Sequence, residues 1–199
     1  NCTFCYHYTN YRARSIPNIM AELNTMVRRF KINIITVYDE CLAVKRERID
    51  EFCKGITKLR AELPLDLKWM CQMSVKSVNK EVLKTMKEAG CTFIGYGFES
   101  LSPTVLKSMQ KPITPQQIDQ AFHETFEAGI AIQTVFIFGD IAETAETAKE
   151  TLDYWKKNYQ GQVSLGFIKP YPGSEIYNHC LRRGIIKDKL DFIKNKMND

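Results

Sequence analysis

Short apolar runs of β-type alternate along this chain with longer segments whose apolar residues recur every three or four positions. The short runs predict strands, and the longer segments predict amphipathic helices. The five predicted strands cover residues 33–39, 68–73, 91–98, 131–138 and 163–168. Because a helical segment separates each strand from the next, the pattern predicts parallel strands joined by crossover helices.

Capping and terminating residues set the helix boundaries. Ser15 is a predicted N-cap, and Pro17 suits the first turn of a helix that runs to Phe30. Thr114-Pro115-Gln116-Gln117 is a capping box that opens a helix closed by Gly129. The buried stripe predicted for that helix is Ile118, Ala121, Phe122 and Phe126. The other predicted helices cover residues 47–63, 79–90, 102–109, 144–159 and 174–181, with a weak charged helix at 188–199.

These elements predict an α/β fold, a partial (β/α)6-type TIM-like barrel of parallel strands with outer helices. The chain opens inside a cysteine pair without an initiating Met, so we expect a fragment whose first strand precedes residue 1. We expect a core over residues 1–185 and a helical tail, or the start of another segment, over 186–199. Ligands bind such sheets beyond the carboxyl ends of the strands. The polar strand-end residues are Asp39, Glu40, Glu99, Ser100, Gly139 and Asp140.

Size and charge narrow the function classes. With 199 residues and 44% hydrophobic content, the chain fits one soluble domain with a sizeable core. No apolar run approaches the roughly 18 residues that would span a bilayer. The net charge of +5 is mild and the basic residues are scattered, which argues against nucleic acid as a partner.

Seven cysteines are present, and only Cys2 and Cys5 are closely spaced. An odd number of scattered cysteines suits a reducing compartment such as the cytoplasm, with buried thiols and one metal site. By spacing alone, the pair fits half of a zinc site, a redox dithiol or part of an iron–sulfur site. Spacing alone favours zinc, although the chain has no second Cys-x-x-Cys, and His123 and His179 are isolated.

Motifs further along the chain favour the iron–sulfur interpretation of the cysteine pair over zinc. Cys2-Thr3-Phe4-Cys5 resembles the second half of the Cys-x3-Cys-x2-Cys motif of the radical S-adenosylmethionine (SAM) superfamily, whose first cysteine would lie four residues before Cys2. Segments similar to that superfamily follow in order: Arg14-Ser15 and the helix to Phe30, Tyr38-Asp39-Glu40, Gly97-Phe98-Glu99-Ser100, Phe138-Gly139-Asp140 with Glu143-Thr144, and Pro170-Tyr171-Pro172-Gly173-Ser174. The resemblance covers nearly all of residues 1–185 and is greatest to the cobalamin (B12)-binding radical SAM proteins.

The resemblance implies an enzyme. In the family, three thiolates hold a [4Fe–4S] cluster, and the remaining iron binds the amino and carboxylate groups of SAM. Reductive cleavage of the sulfonium gives a 5′-deoxyadenosyl radical, which takes hydrogen from a substrate inside the barrel. The resemblance further implies an electron donor such as flavodoxin or ferredoxin, a small-molecule or peptide substrate, and cobalamin held by a domain outside these residues. A cobalamin-dependent methyltransferase is the favoured subclass.

The resemblance also implies roles for individual residues. Cys2 and Cys5 are the implied iron ligands. Asp39 and Glu40 lie where the family grips the methionine amino group, although that place is more typically glycine-rich or holds paired aspartates. Glu99 suits the ribose hydroxyls or the amino group. The remaining implied cofactor-binding residues are Lys111 for the methionine carboxylate, Gly139 for close backbone approach, and Phe4, Tyr6, Ile168 and Pro170 near the adenine.

Other interpretations stay open. A radical SAM methylthiotransferase or a porphyrin-pathway oxidase would use the same core. A non-catalytic metal- or nucleotide-binding module that has lost its cluster belongs to another class. For the individual residues, the purely structural interpretation is that Glu99 is a solvated strand-end carboxylate and Lys111 a solvated loop lysine. A cysteine four residues before Cys2 would favour the enzyme.

Overall fold

The computed structural model describes residues 2–6, 12–39, 42, 45–158 and 161–197. Within them lies one sheet of five parallel strands in the order β1-β2-β3-β4-β5. The strands are β1 (Ile34–Val37), β2 (Lys68–Gln72), β3 (Cys91–Glu99), β4 (Ala131–Phe138) and β5 (Gln162–Phe167). The predicted α/β class with parallel strands is therefore confirmed. Because neighbours in sequence are neighbours in the sheet, each connection is a crossover of the barrel type.

The helices begin at the residues that the capping signals predict. Ser15 accepts from Asn18 N–H, Thr114 forms both bonds of its capping box, and Ser174 accepts from Tyr177 N–H. The helices are α1 (Ile16–Phe30), α2 (Arg46–Ala61), α3 (Lys80–Glu88), α4 (Pro103–Ser108), α5 (Pro115–Glu127), α6 (Ala145–Asn158), α7 (Glu175–Arg182) and α8 (Lys189–Asp191), which continues as a π-helical turn, Phe192–Lys196. In the described part of the chain, no helix has the length and apolar character needed to cross a bilayer.

The main core lies between the sheet and the helix layer. Trp69, Tyr96, Phe98 and Phe136 point into it from three strands, and each is at most 1% exposed. Trp69 Nε1 donates to Ala89 O at 3.0 Å, so the largest core side chain has its one polar atom satisfied.

One helix face differs from the prediction. Phe126 is 50% exposed, whereas Thr125 is fully buried. The Thr125 hydroxyl lies 2.8 Å from Tyr96 Oη. The stripe formed by positions 118, 121, 122 and 125 is centred away from position 126, so Phe126 falls at its margin.

The other face of the sheet contributes no described residue to this core. Gln133 and Ser164 lie on it and are joined by a 3.0 Å bond from Nε2 to Oγ. Ile34 is 54% exposed because strand alternation places it on this open face. The five strands end together at Val37, Gln72, Glu99, Phe138 and Phe167, and we call this side of the sheet the carboxyl edge.

Candidate active site

The two N-terminal cysteines sit at the ends of one β-turn. Cys5 N–H donates to Cys2 O at 3.1 Å, and the four residues of such a turn bring the terminal Cα atoms within about 7 Å. Both thiols therefore lie within reach of one metal centre. Cys5 is exposed and Cys2 is half-buried. We call residues 2–5 the cysteine turn.

Two backbone bonds fix the cysteine turn at the carboxyl edge. Thr3 N–H donates to Met109 O, directly after α4, and Thr3 O accepts from Ile176 N–H in α7, each at 3.0 Å. The turn is thus attached to the segment that follows β3 and to the segment that follows β5.

Glu99 and Lys111 form an ion pair beside it. Lys111 Nζ lies 2.6 Å from Glu99 Oε1, and the two side chains are only 17% and 8% exposed. Glu99 has a left-handed backbone, φ 62°, at a shift in strand register. A Cβ at Gly97 would collide with Glu99 Oε1. The Glu99 carboxylate therefore lies on the open face of the sheet, in the space that a side chain at position 97 would fill. Lys111 is therefore not a solvated loop lysine in this structure, nor is Glu99 a solvated carboxylate.

The loop after Glu99 is held by a threonine of α6. Thr151 Oγ1 accepts from Leu101 N–H at 2.9 Å and lies 3.2 Å from Ser100 Oγ. Ser100 Oγ in turn accepts from Ser102 N–H at 3.1 Å, and all four residues are buried. A left-handed non-glycine residue costs about 1–3 kcal/mol, and these bonds help to offset that cost. No local sequence signal marks Thr151.

Three buried carboxylate oxygens at this edge find no donor among the described residues: Glu99 Oε2, Asp140 Oδ2 and Glu143 Oε1. The other oxygens of the last two are used, since Asp140 Oδ1 accepts from Ala142 N–H at 2.9 Å and Glu143 Oε2 from Gly139 N–H at 2.5 Å. A buried acceptor without a donor costs about 1–3 kcal/mol. No ligand role is assigned to Asp140 or Glu143 from the sequence. The signal that could have found them is an acidic residue shortly after a glycine at the end of a strand.

The ends of β4 and β5 form the neighbouring wall. Ile168 N–H donates to Phe138 O at 2.7 Å, which places Ile168 beside Gly139. Gly139 has φ 93°, a conformation that favours glycine. Pro170 follows and is partly buried.

Tyr6 joins this wall to the cysteine turn. A Cβ built on Gly173 would lie 2.7 Å from two carbons of the Tyr6 ring, so the ring rests directly on the Gly173 backbone. Phe4 is half-buried within the turn itself. The loop after β5 and the residue after Cys5 are therefore in direct contact.

One predicted residue, Asp39, stands apart from this group. Asp39 is exposed just beyond β1, and β2 separates that strand from β3. At about 5 Å between neighbouring strands, β1 and β3 are about 10 Å apart. Glu40 lies outside the described residues.

The residues fit the chemistry of an iron–sulfur cluster and SAM in part. Two thiols on one turn supply two soft ligands, while the described residues include no group of three metal-binding side chains. The Thr3 hydroxyl oxygen is buried between the cysteines and has no partner among the described residues. Lys111 and the unused oxygen of Glu99 match the carboxylate and ammonium groups of an amino acid.

The fold and site define a class: a parallel α/β partial barrel with a Cys-x-x-Cys turn and a buried acid–lysine pair at its carboxyl edge. The family model described as Radical SAM superfamily matches residues 1–154, and the chain belongs to that superfamily. The family uses a [4Fe–4S] cluster and SAM, and the resemblance seen in the sequence motifs is confirmed.

Similar proteins point in the same direction. An uncharacterized methyltransferase of Pyrococcus horikoshii is 27% identical over 190 residues, covering 94% of this chain and 40% of the relative. Bacteriochlorophyllide d C-12(1)-methyltransferase of Chlorobaculum tepidum is also 27% identical over 190 residues, covering 92% and 40%. This chain thus spans about two fifths of the length of these relatives.

A solved structure shares the fold. The radical SAM methyltransferase TsrM from Kitasatospora setae, with cobalamin and a [4Fe–4S] cluster bound, aligns with a TM-score of 0.81. The alignment covers 92% of this chain and 35% of TsrM at 16% identity. The predicted partial barrel is therefore confirmed.

Proposed function

We propose that residues 1–185 are the catalytic core of a radical SAM enzyme that generates the 5′-deoxyadenosyl radical, with a cobalamin-dependent methyltransferase as the subclass. One observation supports this most directly: the Thr3–Met109 bond attaches the cysteine turn to the same edge that carries the Glu99–Lys111 pair. Cys2 and Cys5 would supply two thiolates, and the third ligand would come from outside these residues. When bound, the cluster supplies the electron that divides SAM into methionine and the radical.

The acid–lysine pair is our candidate for the polar part of SAM. Lys111 Nζ is an ammonium donor in a largely buried position, suited to the methionine carboxylate. Glu99 Oε2 is a buried acceptor without a donor among the described residues, suited to the amino group or a ribose hydroxyl. Asp39 and Glu40 are our candidates for a further contact with the amino group.

The wall formed by the ends of β4 and β5 suits the adenine. Ile168 and Pro170 offer apolar surface, and Gly139 exposes backbone. Phe4 and Tyr6 place aromatic rings on the side of the cysteine turn. These groups would exclude water from the space between the turn and the strand ends.

The similar proteins support the proposed subclass, and the cysteines support the proposed cellular location. The two relatives described above are named as methyltransferases, and TsrM contains cobalamin, which supports methyl transfer assisted by a cobalamin domain outside this chain. Among the described residues no two cysteines form a disulfide, which supports a cytoplasmic location. Reduction would come from a flavodoxin- or ferredoxin-type donor.

The test uses the whole protein, loaded anaerobically with iron and sulfide and then mixed with dithionite, SAM and cobalamin. We expect a brown protein that forms 5′-deoxyadenosine and methionine, and methylcobalamin if the subclass is right. Cys5→Ser should abolish cluster binding, whereas Cys180→Ser in α7 should not. A wild-type protein that binds no iron and leaves SAM intact would leave only a binding module.

A further inference from the structure

The segment between β5 and α7 contacts the cysteine turn twice. Ile176 N–H donates to Thr3 O at 3.0 Å, and the Tyr6 ring rests on Gly173. Tyr6 follows Cys5 directly in the chain. A shift of the Tyr6 backbone therefore moves the peptide group that joins it to Cys5.

Gly173 leaves no room for a side chain. A Cβ would lie 2.7 Å from Cδ2 and Cε2 of Tyr6 and 3.0 Å from Cγ, against about 3.5–4.0 Å for an unstrained carbon contact. The clash involves three atoms of a rigid ring, so the ring has to move as a whole to relieve it. The Tyr6 ring would have to retreat by about 1 Å.

The loop around Gly173 is anchored by hydrogen bonds of Ser174. Ser174 N–H and Ser174 Oγ both donate to Tyr171 O, at 3.0 and 2.7 Å, and Ser174 Oγ accepts from Tyr177 N–H at 3.2 Å. Ser174 is 1% exposed, whereas Tyr6 is 52% exposed. A side chain at position 173 would therefore displace Tyr6 and the cysteine turn rather than the loop.

We propose that Gly173 is a positioning residue that sets the place of the cysteine turn through Tyr6. The loop that leads from β5, where the adenine is proposed to bind, thereby also sets the geometry of the iron ligands. This inference rests on the proposed function, because it takes the cysteine turn as the holder of the cluster.

The test compares Gly173→Ala with Gly184→Ala in the whole protein. Both glycines have positive φ, 91° and 68°, but a Cβ at Gly184 would meet nothing within 4 Å. Gly184→Ala therefore reproduces the backbone strain without the clash. We expect Gly173→Ala to lower iron and sulfide content several-fold, or to change the electron paramagnetic resonance spectrum of the reduced cluster. Gly184→Ala should match the wild type in both.

A double-variant cycle separates the contact from other effects. In the Tyr6→Ala background, Gly173→Ala should cause little further loss of iron, because the ring that it strikes is gone. Fully additive losses would overturn the inference, as would a Gly173→Ala protein with both the iron content and the spectrum of the wild type. If Gly173→Ala alone does not fold, the comparison of Tyr6→Ala with Tyr6→Ala/Gly173→Ala still decides. Failure of the wild type to load a cluster would count against the proposed function instead.

Discussion

Lys111 and Glu99 meet across a left-handed turn, with Nζ of one 2.6 Å from Oε1 of the other and with Glu99 Oε2 left without a donor among the described residues. The pair thus presents one positive and one negative group to the same space. A zwitterionic ligand can bind both without leaving a net charge in that partly buried position.

Replacing Glu99 by Gln should weaken SAM binding about 10- to 100-fold, the range for loss of one charge-assisted hydrogen bond. Iron content should stay at the wild-type level, because Glu99 is not a proposed ligand. Titration calorimetry of the anaerobic, cluster-loaded protein measures the affinity. Glu127→Gln is the matched control, since that exposed glutamate pairs with Lys80 on the helix surface. Equal affinity in wild type and Glu99→Gln would remove Glu99 from the SAM site.

Gly97→Ala should reproduce much of this loss while keeping both charged side chains. The new Cβ would collide with Glu99 Oε1 and lie 3.1 Å from Lys111 Nζ, so the pair has to move. Gly95→Ala lies on the same face of the same strand, where the nearest atom is Gln72 Cγ at an ordinary 3.5 Å. SAM affinities of the two variants provide the measurement, and indistinguishable values would contradict the proposed place of the carboxylate.

Thr151→Val should lower both stability and SAM affinity. It leaves Leu101 N–H buried without its acceptor, at a cost of about 1–3 kcal/mol in the free energy of unfolding. It also loosens the loop that keeps Glu99 in its left-handed conformation. Thr125→Val is the control: it breaks the buried bond to Tyr96 and should lower stability alone. Urea unfolding combined with SAM titration separates the two effects, and unchanged affinity in Thr151→Val would show that the loop holds its shape without this bond.

The thiols should differ greatly in reactivity. Burial raises the pKa of Cys53 to about 12, so at pH 8 only about one molecule in ten thousand carries the reactive thiolate at that position. Cys5 is exposed. In the protein without a cluster, iodoacetamide should label Cys5 within minutes and Cys53 far more slowly until the protein unfolds, as read by peptide mass spectrometry. Raising the pH from 7 to 9 should speed Cys53 labelling about tenfold per pH unit yet leave it far slower than that of Cys5. Rapid labelling of Cys53 in the folded protein would contradict its burial.

Local signals predicted the fold well because they act over a few residues. The caps at Ser15, Thr114 and Ser174 and the five strands appear where the sequence patterns put them. The carboxyl edge followed from the parallel topology. By contrast, the pairing of Lys111 with Glu99 depends on a left-handed residue and a register shift, which no local pattern encodes. Thr151 acts across the tertiary structure, and Phe126 shows that a helical stripe has a margin that periodicity alone does not define.

The two backbone bonds of Thr3 also tie the cysteine turn to residues that are made much later in translation. Their partners, Met109 and Ile176, are synthesised long after the cysteines have left the ribosome. The cysteine turn can therefore form these two bonds only after the strands and helices that lie between the partners have folded. A nascent chain that ends before Ile176 would thus present its thiols on a turn that lacks the second of its two backbone anchors.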